Sequence, residues 1–372
     1  MAVTIEQEPQ DYSQSGQFMV WTFSSNQTGQ ANFSYILEVY IAGNLVYTAK
    51  VLPTTGIYGF FDASEVAERY VNVPPIATTL FDDAENNDTI YIKVIENYGT
   101  PPTNQASATT VATLRFYKAK SKYTVDMSQY IGDLDSKLMT DFASKKLYNF
   151  GSQRISAIAN DEEPNAYFDF RNSAGTQIKL ESLSSVSGYI LNMYFTYSNI
   201  KTIFGVGTFT DVVYFDFYLG YGAGNSESIR IYIDHSNCAT FQNEITFLNF
   251  IGGLDVYHFT RMKRYTKTTT PNQFKTNEGV LNADGTFTTL DTSGQYNYQI
   301  TQDETITLQT GWISESDYNI LNEQLLTSPF VLYNGKRVAI TEATAEEKYR
   351  KFDTLFNFTI TIKQKSFTST VV

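Results

Sequence analysis

A mainly β, multi-domain fold is predicted for this chain by three observations. Runs of β-branched and aromatic residues recur along it, Gly, Pro, Asn and Asp punctuate those runs, and helix-capping syntax is confined to a few short stretches. The expected architecture is a set of antiparallel β-sandwiches with an Ig-like N-terminal domain and a few short helices. At 372 residues the chain exceeds the roughly 250–300 at which single cores stop growing, so two or three domains are expected.

Residues 39–47, 89–95 and 111–117 read as half-buried strands. Between the first two lies Asp62-Ala63-Ser64-Glu65, an N-cap with an acidic residue at its third helical position, followed by Val66, Ala67 and Tyr70. Residues 1–118 therefore form one sandwich of Ig-like or fibronectin-like size. Over 119–150 the pattern changes. Leu134, Leu138, Phe142 and Leu147 recur near helical spacing with Lys137, Lys145 and Lys146 between them, which predicts a linker with a short helix.

Residues 151–372 form the remaining β-rich part, with a subdivision expected near 260. Strands are predicted over 189–197, 211–219, 228–233 and 244–250, with turns at Gly205, Gly220 to Gly224 and His235 to Asn237. The last third ends in a helix-hairpin-strand unit. Ser314-Glu315-Ser316-Asp317 resembles a capping box, and the helix it opens carries Tyr318, Leu321 and Leu325 before Ser328-Pro329 stops it. Asn334-Gly335 between two apolar runs predicts a type I′ hairpin, because both central residues of that turn need positive φ. Phe356, Phe358, Ile360 and Ile362 alternate with polar residues, a strand with one buried face.

Composition narrows the function classes. There are 27 Phe and 27 Tyr, but only His235, His258 and Cys238 to supply the groups on which acid-base, nucleophilic and transition-metal chemistry most depend. Aromatic rings bury large areas and dominate cores and interfaces, so the balance favours assembly over catalysis. A net charge of −12 and a pI near 4.7 disfavour a protein whose task is gripping phosphates, and suit a conduit wall that repels DNA. The N-terminal residues carry neither a basic nor an apolar region, so no signal peptide is expected, and no apolar run is long enough for a membrane-spanning helix.

The motifs with chemical potential read more simply as structure. Asp234-His235-Ser236 with Cys238 holds triad residue types, but neighbours on one turn do not converge as a triad does. His258 lies in an alternating strand with no second ligand in view. Gly220-Tyr221-Gly222-Ala223-Gly224 leads into a strand rather than the helix that a phosphate loop requires, which makes it a hairpin loop. Residues 82–88 offer oxygen ligands for calcium without the EF-hand glycine or closing glutamate, and read as a solvated turn. No cofactor, catalytic residue or metal ligand is expected. Two basic clusters stand out: Arg115, Lys118, Lys120 and Lys122, and Arg261, Lys263 and Arg264 with Lys267 close by. In an acidic chain they fit contact with acidic surfaces of neighbouring subunits better than single-strand stacking. Trp312, at the predicted helix start, is assigned to packing.

Ile231-Tyr232-Ile233-Asp234, the stretch from Ile245 through Gly252-Gly253-Leu254-Asp255 to Phe259, Gly311-Trp312-Ile313-Ser314, Ser328-Pro329-Phe330, and Phe356-Asn357-Phe358 together resemble structural proteins of phages that infect Bacteroidota. The likeness is to the tail and ring proteins of crAss-like short-tailed phages, and covers residues 228–365 best. It implies a virion protein made in the host cytoplasm and placed in the tail. It further implies a homo-oligomeric, twelve-fold ring, contacts with portal and other tail or ring proteins, and passage of genome DNA without sequence-specific binding or membrane insertion. Two rival expectations stand beside it: a receptor- or carbohydrate-binding fibre, and a polysaccharide-degrading enzyme using an Asp/Glu pair.

Overall fold

The computed structural model describes residues 3–54, 56–71, 79–83, 87–119, 137–159, 163–185, 188, 190–205, 207–221, 224–236, 243–275, 279–289, 295–349 and 354–370. The chain is mainly β, in several sheets with few short helices. It packs into two compact units, the first holding Met1–Ala239, Thr246–Tyr257 and Glu323–Phe330, the second Thr240–Ile245, His258–Asn322 and Val331–Val372. The joints expected near 118 and 150 both fall inside the first unit.

The first unit opens with β1 (Thr4–Gln7), β2 (Ser13–Gln14), β3 (Val20–Ser24), β4 (Ser34–Ile41), β5 (Asn44–Val51), β6 (Tyr58–Asp62), α1 (Ser64–Tyr70), β7 (Phe81–Asp83), β8 (Asn87–Gly99), β9 (Pro102–Thr110) and β10 (Leu114–Tyr117). One sheet is ordered β1-β3-β6 and another β2-β10-β8-β4-β5, with β9 also on β8. Alternate residues of the two sheets share one core that includes Trp21, Phe23, Tyr35, Leu37, Ile92, Val94 and Phe116. Removing each such side chain from water stabilises the fold by about 1.5–3 kcal/mol. The run predicted as one strand over 39–47 is a hairpin instead: Ala42 and Gly43 both have positive φ, at 48° and 76°, and turn β4 into β5. The first helix forms as expected, but Ala63 is its cap. Asp62 sits one residue earlier because its Oδ1 accepts from the N–H groups of both Met19 and Ser64, at 3.0 and 2.9 Å.

A second sandwich follows in the same unit, from β11 (Lys137–Leu138), β12 (Ser144–Tyr148), β13 (Ser152–Ile158), β14 (Asn165–Arg171), β15 (Gln177–Ser184), β16 (Ile190–Thr196), α2 (Tyr197–Phe204), β17 (Tyr214–Tyr221), β18 (Gly224–Asn225) and β19 (Ile229–Asp234). One sheet is ordered β11-β13-β16-β7, the other β12-β19-β17-β14-β15 with β18 on β17. The expected linker helix is thus corrected to two strands where the residues are described, β11 and β12. The reason is Lys145, which alternates with exposed Ser144 and Lys146 and points inward with Leu147. A lysine on the buried face disguised a period of two as a period near four. The strand predicted over 189–197 also ends early, because Thr196 and Asn199 form a reciprocal capping box that starts α2.

The two sandwiches of the first unit are fused. β7, from the N-terminal third, pairs with β16 of the second sandwich, Met193 opposite Phe81. A separate apolar cluster joins Tyr12, Tyr117 and Ala119 to Met139, Ile158 and Ile190. Gly252 lies against this joint with φ of 97°, and a Cβ there would stand 2.7 Å from the Lys118 carbonyl oxygen.

Two short strands follow, β20 (Glu244–Leu248) and β21 (Leu254–His258). The second unit is dominated by long antiparallel strands. Its elements are β22 (Met262–Lys275), a small hairpin of β23 (Gly279–Leu281) and β24 (Phe287–Thr289), β25 (Gln295–Ile313), α3 (Glu315–Ile320), β26 (Val331–Tyr333), β27 (Lys336–Arg337), β28 (Ala339–Tyr349) and β29 (Thr354–Thr370). The main sheet is ordered β22-β25-β29-β28, and every neighbouring pair in it is antiparallel. Ser314 caps α3 by accepting from the Asp317 N–H, as its sequence predicts. Tyr318 then stacks on Phe356 at 4.8 Å and meets Phe358 edge-on at 6.2 Å. Phe356, Phe358, Ile360 and Ile362 are all buried, and Asn334 and Gly335 carry the positive φ of the expected β26–β27 hairpin.

Candidate interaction surfaces

The expected basic clusters have different fates. Arg115 is matched within the first unit: its Nη1 lies 3.1 Å from Asp11 Oδ2, and its guanidinium sits over the Tyr12 ring at 5.4 Å. Lys118 donates to the Glu68 carbonyl at 2.9 Å and has the Glu68 carboxylate at 3.7 Å. Lys120 and Lys122 lie outside the described residues. In the second unit, the stem of Arg261 crosses Gly311, where φ of 82° and a 2.6 Å approach leave no room for a Cβ. Lys263 rests over Tyr265 and Tyr333 at 4.7 and 5.3 Å. Burial opposes its charge, but the hydroxyls of those two tyrosines more than compensate and raise its pKa. Arg264 is exposed on β22, and Lys267 pairs with Glu304 at 2.6 Å.

The motifs of the Asp234 region hold structure together. The His235 ring is fixed on both sides, Nδ1 at 2.7 Å from the Tyr197 hydroxyl and Nε2 at 2.6 Å from the Val212 carbonyl. Because a carbonyl oxygen can only accept, the imidazole donates from Nε2. Asp234 accepts from the Ser236 N–H and hydroxyl and pairs with Lys146 at 2.9 Å. Burial pushes against its charge, yet these donors hold its pKa below the usual carboxylate value. Cys238 lies outside the described residues. The glycine-rich loop is a hairpin, with Gly220 opposite Asn225 and Tyr221 opposite Gly224. His258 is buried at the end of β21. Of the calcium-like loop, residues 84–86 lie outside the described residues. No three His, Cys, Asp or Glu side chains among the described residues stand close enough to hold a metal ion. Among the same residues, no helix is long and apolar enough to cross a membrane.

One buried ionisable pair exists where the sequence suggested none. Lys145 Nζ donates to Asp255 Oδ1 and to the Arg154 carbonyl, with 2% and 0% of the two side chains exposed. Thr140 and Asn249 complete the carboxylate shell at 2.7 Å each. Desolvation lowers the Lys145 pKa despite the attraction of Asp255. Closed off from solvent, this pair tethers β12 to β21 residues within the first unit.

Two exposed surfaces stand out among the described residues. The first is a groove of about 490 Å³ on the N-terminal sandwich, where Phe18, Tyr47, Phe61 and Tyr70 surround Asp62, Glu65 and Arg69. Phe18 is 86% exposed, and Tyr47 and Phe61 stack at 6.0 Å. Sequence reasoning missed this groove because its residues are scattered over β5, β6, α1 and the segment before β3. The second is the sheet of the second unit, whose strands of 14, 19 and 17 residues far exceed the usual 3–10. Its far end carries exposed Phe274, Tyr296 and Tyr298, with Val280, Leu281 and Phe287 exposed on the small hairpin. Trp312, expected to be packed at a helix start, is instead in β25 and 45% exposed, because α3 begins three residues later and covers Phe356 and Phe358.

No family model matches the chain, and no curated protein matches it. Among solved structures it is similar to a titin fragment, A168169, at 11% identity and a TM-score of 0.29, over 63% of this chain and all of that one. It is also similar to a cycloalternan-forming enzyme from Listeria monocytogenes solved with a pentasaccharide substrate, at 10% identity and a TM-score of 0.19, over 98% of this chain and 30% of that one. A third, the uncharacterised protein lmo2446 from Listeria monocytogenes, shows 10% identity and a TM-score of 0.18 over 98% and 29%. Likeness at these values supports neither a shared function nor a shared arrangement of domains.

Proposed function

We propose that the protein is a non-enzymatic component of a phage virion, a ring subunit of the tail barrel that lies between portal and distal tail. The observation that carries this reading is the long sheet of the second unit. Its strands run well past the core formed by Ile306, Leu308, Phe358, Ile360 and Ile362, and they carry exposed aromatics and polar residues for which a monomer has no use. Such surface is typical of a part that is completed by neighbours. The sequence resemblance and the acidic balance agree with this reading: a ring needs two different faces per subunit, and a net charge of −12 lets DNA slide past. The ring is twelve-fold on this reading, to match a portal, and its partners are further copies and the adjoining tail and portal proteins.

Electron microscopy of the purified protein tests this directly. Rings, and antibody labelling of the tail in particles, are expected. A protein that stays monomeric at all concentrations and labels no tail would refute the proposal.

A second reading is favoured by the groove of Phe18, Tyr47 and Tyr70. Rings flanked by Asp62, Glu65 and Arg69 suit the apolar faces and hydroxyls of a sugar, as a receptor- or carbohydrate-binding fibre requires. Glycan-array binding abolished by Tyr70→Ala would support it, and absence of any glycan signal would dismiss it.

A further inference from the structure

We propose that the two edges of the long sheet in the second unit bind each other in successive copies, β22 of one subunit adding to β28 of the next. This rests on the homo-oligomeric reading above and names the surface that makes the oligomer. Among the described residues, β22 pairs only with β25 in this sheet and β28 only with β29, so each has an outer row of backbone N–H and C=O groups facing away from the sheet. Edges of this kind are templates for another strand.

Geometry and charge select a second copy as the occupant. The sheet has four strands, all antiparallel, so its two edges run in opposite directions. A copy displaced across the sheet without being turned over therefore offers β28 antiparallel to β22, and the pattern continues. The contact is heterologous, as a ring requires. β22 carries Lys263, Arg264, Lys267 and Lys275 and no acidic residue, whereas β28 carries Glu342, Glu346 and Glu347 against a single Lys348. Like edges would repel and unlike edges attract.

The spacing also fixes the register. Setting Lys267 opposite Glu342 sets Lys263 opposite Glu346, because each pair is four residues apart, and places Arg264 diagonal to Glu347. The even spacing keeps both direct pairs on one face. A slip of one residue sets Arg264 opposite Glu346 and Lys263 opposite Glu347, also two direct pairs, but leaves Lys267 and Glu342 unmatched, whereas the first register matches Lys267 and Glu342 and adds the diagonal Arg264–Glu347 contact. Lys267 keeps 62% of its side chain exposed while bonded to Glu304, and Glu342 is exposed. Pro271, which has no N–H to donate, ends the usable edge, leaving residues 263–270, a span of about 26 Å.

A charge swap tests the pairing by sedimentation velocity on the full chain. Lys267→Glu and Glu342→Lys are each expected to weaken self-association about ten-fold or more, and an equimolar mixture of the two is expected to recover it, since every contact between alternating copies then joins opposite charges. A second measurement does not depend on those charges. In a chain with Cys238→Ser, Thr266→Cys together with Ala343→Cys is expected to give disulfide-linked ladders under mild oxidation. Wild-type assembly unchanged by the reversals, with no ladder, would overturn the edge pairing while leaving the ring proposal in place. A wild-type chain that does not assemble would overturn the ring proposal itself.

Discussion

Ring clusters of similar geometry occur in both units and do different work. In the second sandwich of the first unit, Phe168, Phe195, Phe215 and Phe217 stand 5.0–6.3 Å apart and are all buried. At the end of the long sheet in the second unit, Phe274 meets Tyr296 and Tyr298 at 5.9 and 6.2 Å, yet all three are exposed. Contact between rings therefore does not mark a core. Removal of water does, because the stabilisation scales with apolar area taken out of solvent. The Phe168 cluster of the first unit has used its aromatic surface, and the Phe274 cluster of the second still offers it.

The largest expected difference comes from the buried side of this comparison. Phe217→Ala should cost about 3–5 kcal/mol, measured by chemical denaturation, because it opens a cavity among well-packed rings. Asp255→Ala should cost a similar amount, about 3–5 kcal/mol, since it leaves Lys145 charged or forces it neutral inside the protein. The double change Lys145→Met with Asp255→Leu should recover most of that loss, which would show that the pair's penalty lies in breaking it.

Alkaline pH offers a smaller probe of the first unit. Burial, reinforced by the nearby Glu96 carboxylate, pushes the Tyr35 phenol up to about 12 from 10.0. Between those values the unfolded chain gives up the proton and the folded chain keeps it. The contribution is therefore complete below pH 10 and is lost as pH rises towards 12. Tyr117, raised further by burial, adds a loss of the same sign. Unfolding followed from pH 9 to 12 should show this decline, and Tyr35→Phe should flatten it while removing the bond from Tyr35 to the Ile57 carbonyl.

Gly335→Ala, at φ of 76°, should cost about 1 kcal/mol in the second unit by straining the β26–β27 turn. Smallest of all, Phe274→Ala should change stability by no more than about 0.5 kcal/mol. A loss as large as that of Phe217→Ala would erase the contrast between the two clusters.

Where a segment's own residues decide its conformation, the sequence was readable. Asn334-Gly335 demanded a type I′ turn, Ser314 supplied the cap of α3, and the alternation from Phe356 to Ile362 marked the buried face of β29. Reading failed where a distant partner decided. Lys145 looked like the polar side of a helix because its partner Asp255 lies 110 positions away, and Trp312 looked packed because nothing local shows that α3 covers Phe356 and Phe358 instead. The groove at Phe18 and the edges β22 and β28 were invisible for the same reason, since each is defined by which strands are neighbours.

The sequence by itself therefore determined the class of fold, the strand periodicities, the turns and the imbalance between packing groups and reactive ones, all of which depend on interactions within a few residues. Only the tertiary structure decided that β7 joins the second sandwich, that a lysine is buried against Asp255, and which aromatics stay wet. Those outcomes depend on pairing and burial between segments far apart in the chain, where desolvation and strand register, rather than local preference, set the balance.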